Sequence, residues 1–170
     1  MDTRLRAFVI YVGFFGMLAQ ILMLRELVAA FYGNELVLGI ALGCWLWWTG
    51  LGSLVLSRWV VPQEHSSARA RSVRALMVAV LTLPAGMAAV RLARFAMSIE
   101  VTAVCGLGPA LATSFVALSG VCLSLGVLFP LCCCAAGSDR AASAGRIYVL
   151  EAVGAARGAG ADDSELETTP

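Results

Sequence analysis

The chain has 170 residues, enough for one ordinary domain, but 60% of them are hydrophobic and only 14% are charged. Soluble globular proteins contain about 45–50% apolar and about 25% charged residues, so this composition leaves too few polar side chains to cover a surface in water. The formal net charge of +1 excludes nucleic acid as a partner held by bulk electrostatics, because no large basic excess is present to neutralise phosphates. The lipid bilayer is the partner that this composition predicts.

Four long apolar segments follow one another along the chain, over residues 7–32, 36–61, 73–97 and 109–136. Each is longer than the roughly 20 residues that a helix needs to cross about 30 Å of hydrocarbon. Because no water is present there to satisfy the backbone, segments of this length are helical. We therefore predict an all-α fold, a multi-pass membrane helix bundle with four transmembrane helices over residues 1–136.

The rest of the chain loses this apolar character. Residues 137–156 are predicted to form a cytoplasmic loop and the start of an incomplete fifth helix, because Glu151 interrupts an otherwise apolar pattern. Residues 157–170 are small, polar and acidic, a composition typical of a disordered tail.

The start of the chain has a second interpretation. Arg4 and Arg6 precede an apolar stretch over residues 7–19, which is the order found in a secretory signal peptide. The apolar pattern continues past Gln20, however, and no small-x-small cleavage site follows. An uncleaved first span is therefore the favoured interpretation.

The placement of arginine predicts the orientation, since cytoplasmic loops carry an excess of positive residues. The twelve basic residues are all arginine, and most fall on one side of the membrane if the chain crosses four times. We assign that side to the cytoplasm and expect both termini there, with Arg91 and Arg94 as exceptions on the opposite side. The arginines assigned to the cytoplasmic side are Arg4, Arg6, Arg58, Arg69, Arg71, Arg74, Arg140 and Arg146.

Gln20 is the first polar residue within a predicted span. At 100° per residue it shares one narrow sector of the helix with Gly13 and Gly16, so we expect this face to meet another helix. Its amide can either bond across that interface or contact a substrate. The sequence favours the packing role but leaves both open.

Arg25 and Glu26 are the other two polar candidates in the membrane. A charge near the centre of a bilayer costs at least about 2.5–3.5 kcal/mol, which makes such residues functional candidates by default. Both lie close to the end of the first span, where Arg25 can snorkel towards the lipid headgroups. Glu35, across the turn, is the predicted partner of Arg25. A structural ion pair and a functional site are equally compatible with this pattern.

The second span carries a stripe of small residues. Gly39, Gly43, Gly50 and Ser57 fall within about 40° around the helix axis. Small residues let helix backbones approach closely in membranes. We predict that this stripe is a helix-packing surface and that it packs against the first span.

No catalytic, cofactor-binding or metal-binding residue is predicted. Cys132, Cys133 and Cys134 are consecutive and point in three directions on a helix, and no second cluster completes a tetrahedral set. His65, the single histidine, lies in a polar connection. The glycine-rich segments lack the preceding strand that a dinucleotide site requires.

Three segments together resemble one protein family. Residues 13–53 resemble the first two membrane spans of bacterial membrane-bound spermidine synthase-like proteins. Gly126, Phe129 and Pro130 match the Gly-x-x-Phe-Pro motif of that family, and residues 145–156 are similar to the segment entering its next span. In many members asparagine stands in place of Glu151, and a glutamate often stands in place of Gln20. Within residues 145–156, the matching positions are Gly145, Arg146, Tyr148 and Gly154.

The resemblance implies a larger protein. Members usually continue into a cytoplasmic aminopropyltransferase-like Rossmann domain, a transferase that would bind decarboxylated S-adenosylmethionine and a polyamine. Because the resemblance stops near Ala156, we expect a truncated or frame-shifted product, a fragment or one half of a split protein. No catalytic residue of the family can be carried over.

The function implied is that of a non-catalytic N-terminal membrane domain in the bacterial inner membrane. It would anchor an aminopropyltransferase-like domain, or present a polyamine-type substrate to it, with that domain or further membrane helices as partners. The alternatives are a small-solute transporter, or its fragment, and a structural membrane subunit.

Overall fold

The computed structural model describes residues 3–31, 35–60, 65–96, 107–136 and 140–166, and the described part of the chain is helical and contains no strand. The predicted all-α fold is confirmed. The elements are α1 (Thr3–Ala30), α2 (Glu35–Leu51), a π-helical turn (Gly52–Leu56), α3 (Ser57–Val60), α4 (His65–Ala96), α5 (Leu107–Ala136) and α6 (Arg140–Leu166).

Four helices are long and apolar enough to cross a membrane. They are Thr3–Ala30, Glu35–Trp59, Ser67–Phe95 and Gly108–Ala136, which coincide with the four apolar segments of the sequence. The second of these joins α2, the π-helical turn and α3 into one span. The chain is therefore a multi-pass membrane helix bundle, as predicted.

The centre of the bundle lies between α1, α2, α4 and α5. Met23 and Leu27 of α1 are fully buried there, together with Leu118, Val121 and Cys122 of α5. α4 and α5 are antiparallel neighbours, since Gly86 faces Ala117 and Thr82 faces Gly120. A Cβ atom on Gly86 would lie 2.6 Å from the carbonyl oxygen of Ala117, so the absence of a side chain permits this approach.

α6 packs along α1 and runs in the same direction. Ile147 packs with Leu5 and Val9 near the start of α1, whereas Gly158 lies against Phe14 and Met17 farther along it. This direction agrees with a helix that enters the bundle from the same end as α1.

Two glycines bring the backbones of α1 and α6 together. A Cβ atom on Gly154 would overlap the carbonyl oxygen of Ile10, and one on Gly13 would overlap the carbonyl oxygen of Glu151. The expectation that the face of Gly13 meets another helix is confirmed, and the helix it meets is α6.

The structure corrects the prediction for the end of the chain. α6 continues to Leu166, so residues 157–166 are helical rather than a disordered tail, and the segment assigned to a loop is helical from Arg140 onward. Residues 167–170 lie outside the described part. Because α6 is parallel to α1, the ends of these two helices lie toward the same end of the bundle.

The glycine stripe of α2 is also corrected. α2 packs mainly against α5 rather than α1, and Gly39 and Gly43 are exposed, with no described atom within 4 Å of an added Cβ. Gly50 is also free of such a contact, and Ser57 donates a hydrogen bond to the Ser53 carbonyl in the preceding π-helical turn. The close approach to α5 uses Gly52 instead, where an added Cβ would lie 2.6 Å from the Leu123 carbonyl oxygen.

Candidate functional site

A cavity of about 560 Å³ lies between α1, α2, α5 and α6. It lies near the middle of α1 and near the middle of the span Glu35–Trp59, and its walls carry both apolar and polar side chains. Five polar side chains line it, from three helices and the π-helical turn: Gln20, Thr49, Ser53, Tyr148 and Glu151.

Small residues open this space. Gly16 of α1, Gly50 of α2 and Gly126 of α5 each contribute a wall without a side chain. Gly126 also lets α5 approach α2 directly, because an added Cβ would overlap the carbonyl oxygen of Thr49. The π-helical turn begins two residues after Gly50, and π-helical turns within α-helices occur frequently at functional sites.

The polar side chains of the cavity include hydrogen-bond acceptors beside the donor groups of Gln20, Ser53 and Tyr148. Glu151 supplies the one carboxyl group among the lining residues, and Gln20 supplies an amide oxygen. The hydroxyl of Thr49 donates a hydrogen bond to the carbonyl oxygen of Trp45, with 2.8 Å between the two oxygens, so the Thr49 oxygen can still accept a hydrogen bond. An arrangement of this kind suits a ligand that donates hydrogen bonds and carries positive charge.

The three candidate polar residues of the first span, Gln20, Arg25 and Glu26, lie in different surroundings in the structure. Gln20 lines the cavity, whereas Arg25 is exposed six residues before the end of the described first segment. Glu26 forms an ion pair with Arg91 of α4. The predicted pair of Arg25 with Glu35 is wrong, since within the described residues no salt bridge joins them.

The Glu26–Arg91 ion pair is bidentate. Nη2 of Arg91 donates to Oε1 of Glu26, and Nε donates to Oε2 at 3.3 Å. The Arg91 side chain is 69% exposed and that of Glu26 is 20% exposed. The pair therefore lies at the rim of the bundle, and it accounts for one of the two arginines that departed from the predicted orientation.

Glu151 and Tyr148 were not predicted as site residues. In the sequence, Glu151 indicates only that the fifth helix is incomplete. A signal was nevertheless present, because Tyr148, Glu151 and Ala155 follow one another at the three- and four-residue spacing of one helix face. All three line the cavity.

The cysteine triplet lies within a packed interface. Cys132 and Cys133 are buried in a cluster with Leu5, Val9 and Ile147, which joins the end of α5 to the starts of α1 and α6. Among the residues that the structure describes, no group of three His, Cys, Asp or Glu side chains is placed to hold a metal ion. The side chain of His65 lies outside the described residues.

Comparison with protein-family models, with curated proteins and with solved structures finds no match. The chemistry of the cavity and its place within a membrane bundle therefore indicate what the chain can bind.

Proposed function

We propose that the chain is a non-catalytic membrane domain that binds a polyamine-type substrate in this cavity. In this proposal it is the membrane part of a spermidine synthase-like protein, and it anchors or supplies substrate to an aminopropyltransferase-like domain. The observation that carries the proposal is the cavity itself, in which a single carboxyl group, Glu151, faces the same space as Gln20 and Thr49.

The chemistry of a polyamine matches these walls. Its ammonium groups donate hydrogen bonds and carry charge, so they pair with a carboxylate more strongly than with a neutral acceptor. The methylene segments between those groups can lie against Leu125 and Phe129, which line the same cavity. The volume of about 560 Å³ falls within the range of about 300–1,000 Å³ typical of small-molecule sites.

The resemblance noted in the sequence supports the same proposal. Gln20 and Glu151 are the two polar positions at which the chain differs from many members of that family. They come from different helices and line one cavity. A chain with glutamate in place of Gln20 and asparagine in place of Glu151 would also have one carboxyl group in the cavity.

Binding of labelled spermidine to the purified full chain in detergent tests the proposal. We expect Glu151→Gln to weaken binding about 10- to 100-fold, because a hydrogen bond to a charged group contributes about 1.5–3 kcal/mol. Glu35→Gln is the matched control, since it removes an exposed carboxyl group outside the cavity. Equal affinities for the two variants would contradict the proposal.

A small-solute transporter is the second candidate. The cavity lies near the middle of α1 and adjoins the π-helical turn, and α5 contains Pro130 close to Gly126. Transporters commonly place substrate sites at mid-membrane beside interrupted helices. Uptake of labelled spermidine by proteoliposomes, lost in Glu151→Gln, would favour this candidate over a domain that only binds. Glu26 is not used for this test, because it is paired with Arg91 outside the cavity.

A structural membrane subunit is the third alternative. The exposed positions Gly39 and Gly43 are compatible with a helix of another protein. The structural role would be favoured if the chain bound other membrane proteins but did not bind spermidine.

We place the protein in a bacterial inner membrane with the start of α1 in the cytoplasm. One end of the bundle carries Arg4 and Arg6 of α1, Arg74 of α4 and Arg146 of α6, because these three helices run in one direction. Positive residues favour the cytoplasmic side, which supports this orientation.

A further inference from the structure

Grooves at the arginine-rich end of the bundle combine an apolar floor with cationic rims. One groove of about 460 Å³ lies between the starts of α1 and α6, and both helices contribute an arginine to it, Arg6 and Arg146. Its other lining residues are Gly145, Val149 and Leu150, so the remaining wall is apolar or small. This combination differs from the central cavity, whose charged lining group is acidic.

The two arginines are available to a ligand. Both side chains are exposed, and neither forms an ion pair within the described part of the chain. They come from helices that touch along their length, because Gly154 lies directly against Ile10. One anion that contacts both guanidinium groups would therefore bridge α1 and α6.

The surface beside the groove indicates the kind of anion. Val149 is 60% exposed and lines the same groove as Arg146, so an exposed apolar surface adjoins the cationic rim. A second groove at the same end lies between α3, α4 and α5, and both Trp59 and Arg74 line it. Tryptophan is enriched at the level of the lipid headgroups, which puts this end of the bundle at the membrane interface.

We infer that the groove between α1 and α6 is a binding site for an anionic phospholipid. Arg6 and Arg146 hold the headgroup phosphate, and an acyl chain lies along Val149 and Leu150. Arginine is well suited to phosphate because its planar guanidinium donates two parallel hydrogen bonds. Basic pockets between membrane helices on the cytoplasmic side bind such headgroups in general. This inference concerns a different surface from the central cavity and does not depend on the proposed function.

Native mass spectrometry of the full chain, titrated with phosphatidylglycerol in neutral detergent, tests the inference. We expect the double variant Arg6→Gln/Arg146→Gln to bind this lipid about 30-fold more weakly, since each arginine near an anionic surface contributes about 1 kcal/mol. The matched control is Arg25→Gln/Arg157→Gln, which removes the same charge from the same two helices outside the groove. It is expected to keep the affinity of the unaltered chain.

Three further measurements separate the occupants. Phosphatidylcholine is expected to bind at least tenfold more weakly, and inorganic phosphate is expected not to displace the bound lipid. The variant Arg6→Lys/Arg146→Lys retains both charges but loses the two parallel hydrogen bonds of each guanidinium, so it is expected to bind the lipid more weakly than the unaltered chain and more tightly than the glutamine variant. This intermediate affinity distinguishes lost recognition from lost folding. Equal loss in both glutamine variants, equal binding of phosphatidylcholine, or displacement by inorganic phosphate would each overturn the inference.

Discussion

Arg91 of α4 donates two hydrogen bonds to Glu26 of α1, a residue 65 positions earlier in the sequence. The pair requires the ends of α1 and α4 to lie on the same side of the membrane, which follows if α2 and α3 form the one intervening span. The Glu26–Arg91 ion pair is therefore compatible with one membrane crossing between α1 and α4, and not with two.

The ion pair predicts a charge-swap result. Glu26→Gln and Arg91→Gln are each expected to lower the midpoint of thermal unfolding slightly, because Arg91 is largely exposed and solvent weakens the attraction. The swap Glu26→Arg/Arg91→Glu is expected to recover most of that loss, measured in one detergent at low salt. Since salt screens exposed charges, the difference should shrink at 1 M salt. A swap less stable than either single variant would contradict the pairing.

The α1–α6 contact predicts opposite effects for two glycines of α6. Gly154→Ala is expected to lower the free energy of unfolding by about 1–3 kcal/mol, because the new methyl group overlaps the Ile10 carbonyl. Gly145→Ala has no described atom in its way and is expected to be neutral or stabilising by up to about 1 kcal/mol. Denaturant unfolding in micelles measures both. Equal effects would mean that α6 does not lie on α1 as the structure has it.

The contact between α2 and α5 depends on a tryptophan. Nε1 of Trp48 donates to the carbonyl oxygen of Phe115 at 2.8 Å, and the two ring centroids are 4.6 Å apart. Trp48→Phe is expected to cost about 0.5–1.5 kcal/mol of unfolding free energy through the lost hydrogen bond. Trp47, which is 63% exposed, supplies the control: Trp47→Phe should be close to neutral by the same unfolding measurement.

The shape of the central cavity predicts a pair of glycine variants with different effects on binding. Gly50 lines the cavity and has space for a larger side chain, so Gly50→Leu is expected to fill part of it and abolish spermidine binding. Gly39→Leu adds the same side chain to α2 outside the cavity and is expected to leave binding intact. Unaltered binding in Gly50→Leu would show that spermidine binds elsewhere.

The orientation predicts which side of the membrane each residue faces. In a background without native cysteines, Arg6→Cys and Arg74→Cys are expected to react with an impermeant maleimide only from the cytoplasmic side. Glu35→Cys, at the opposite end of the bundle, is expected to react only from the other side. Labelling of Arg6→Cys and Glu35→Cys from one common side would contradict the described helix directions.

Local physics made the helices predictable. A backbone in hydrocarbon must bond within its own segment, so the lengths of the four apolar runs were enough to locate four spans. The helix face that contains Gly13 and Gly16 was also predictable, because helical periodicity places these residues on one side of α1. These features depend only on residues close in sequence.

The pairing of helices was decided by tertiary structure. Lipid is as apolar as the helix surfaces, so the hydrophobic effect does not favour one neighbouring helix over another in a membrane. The small residues Gly39 and Gly43 therefore do not specify which helix packs against them, or whether any helix does. α2 instead packs on α5, with Gly52 of the following π-helical turn in close contact with α5, and α6 packs on the Gly13 face of α1. The partner of Glu26 and the shared cavity of Gln20 and Glu151 follow from that arrangement, since each joins residues from helices far apart in the chain.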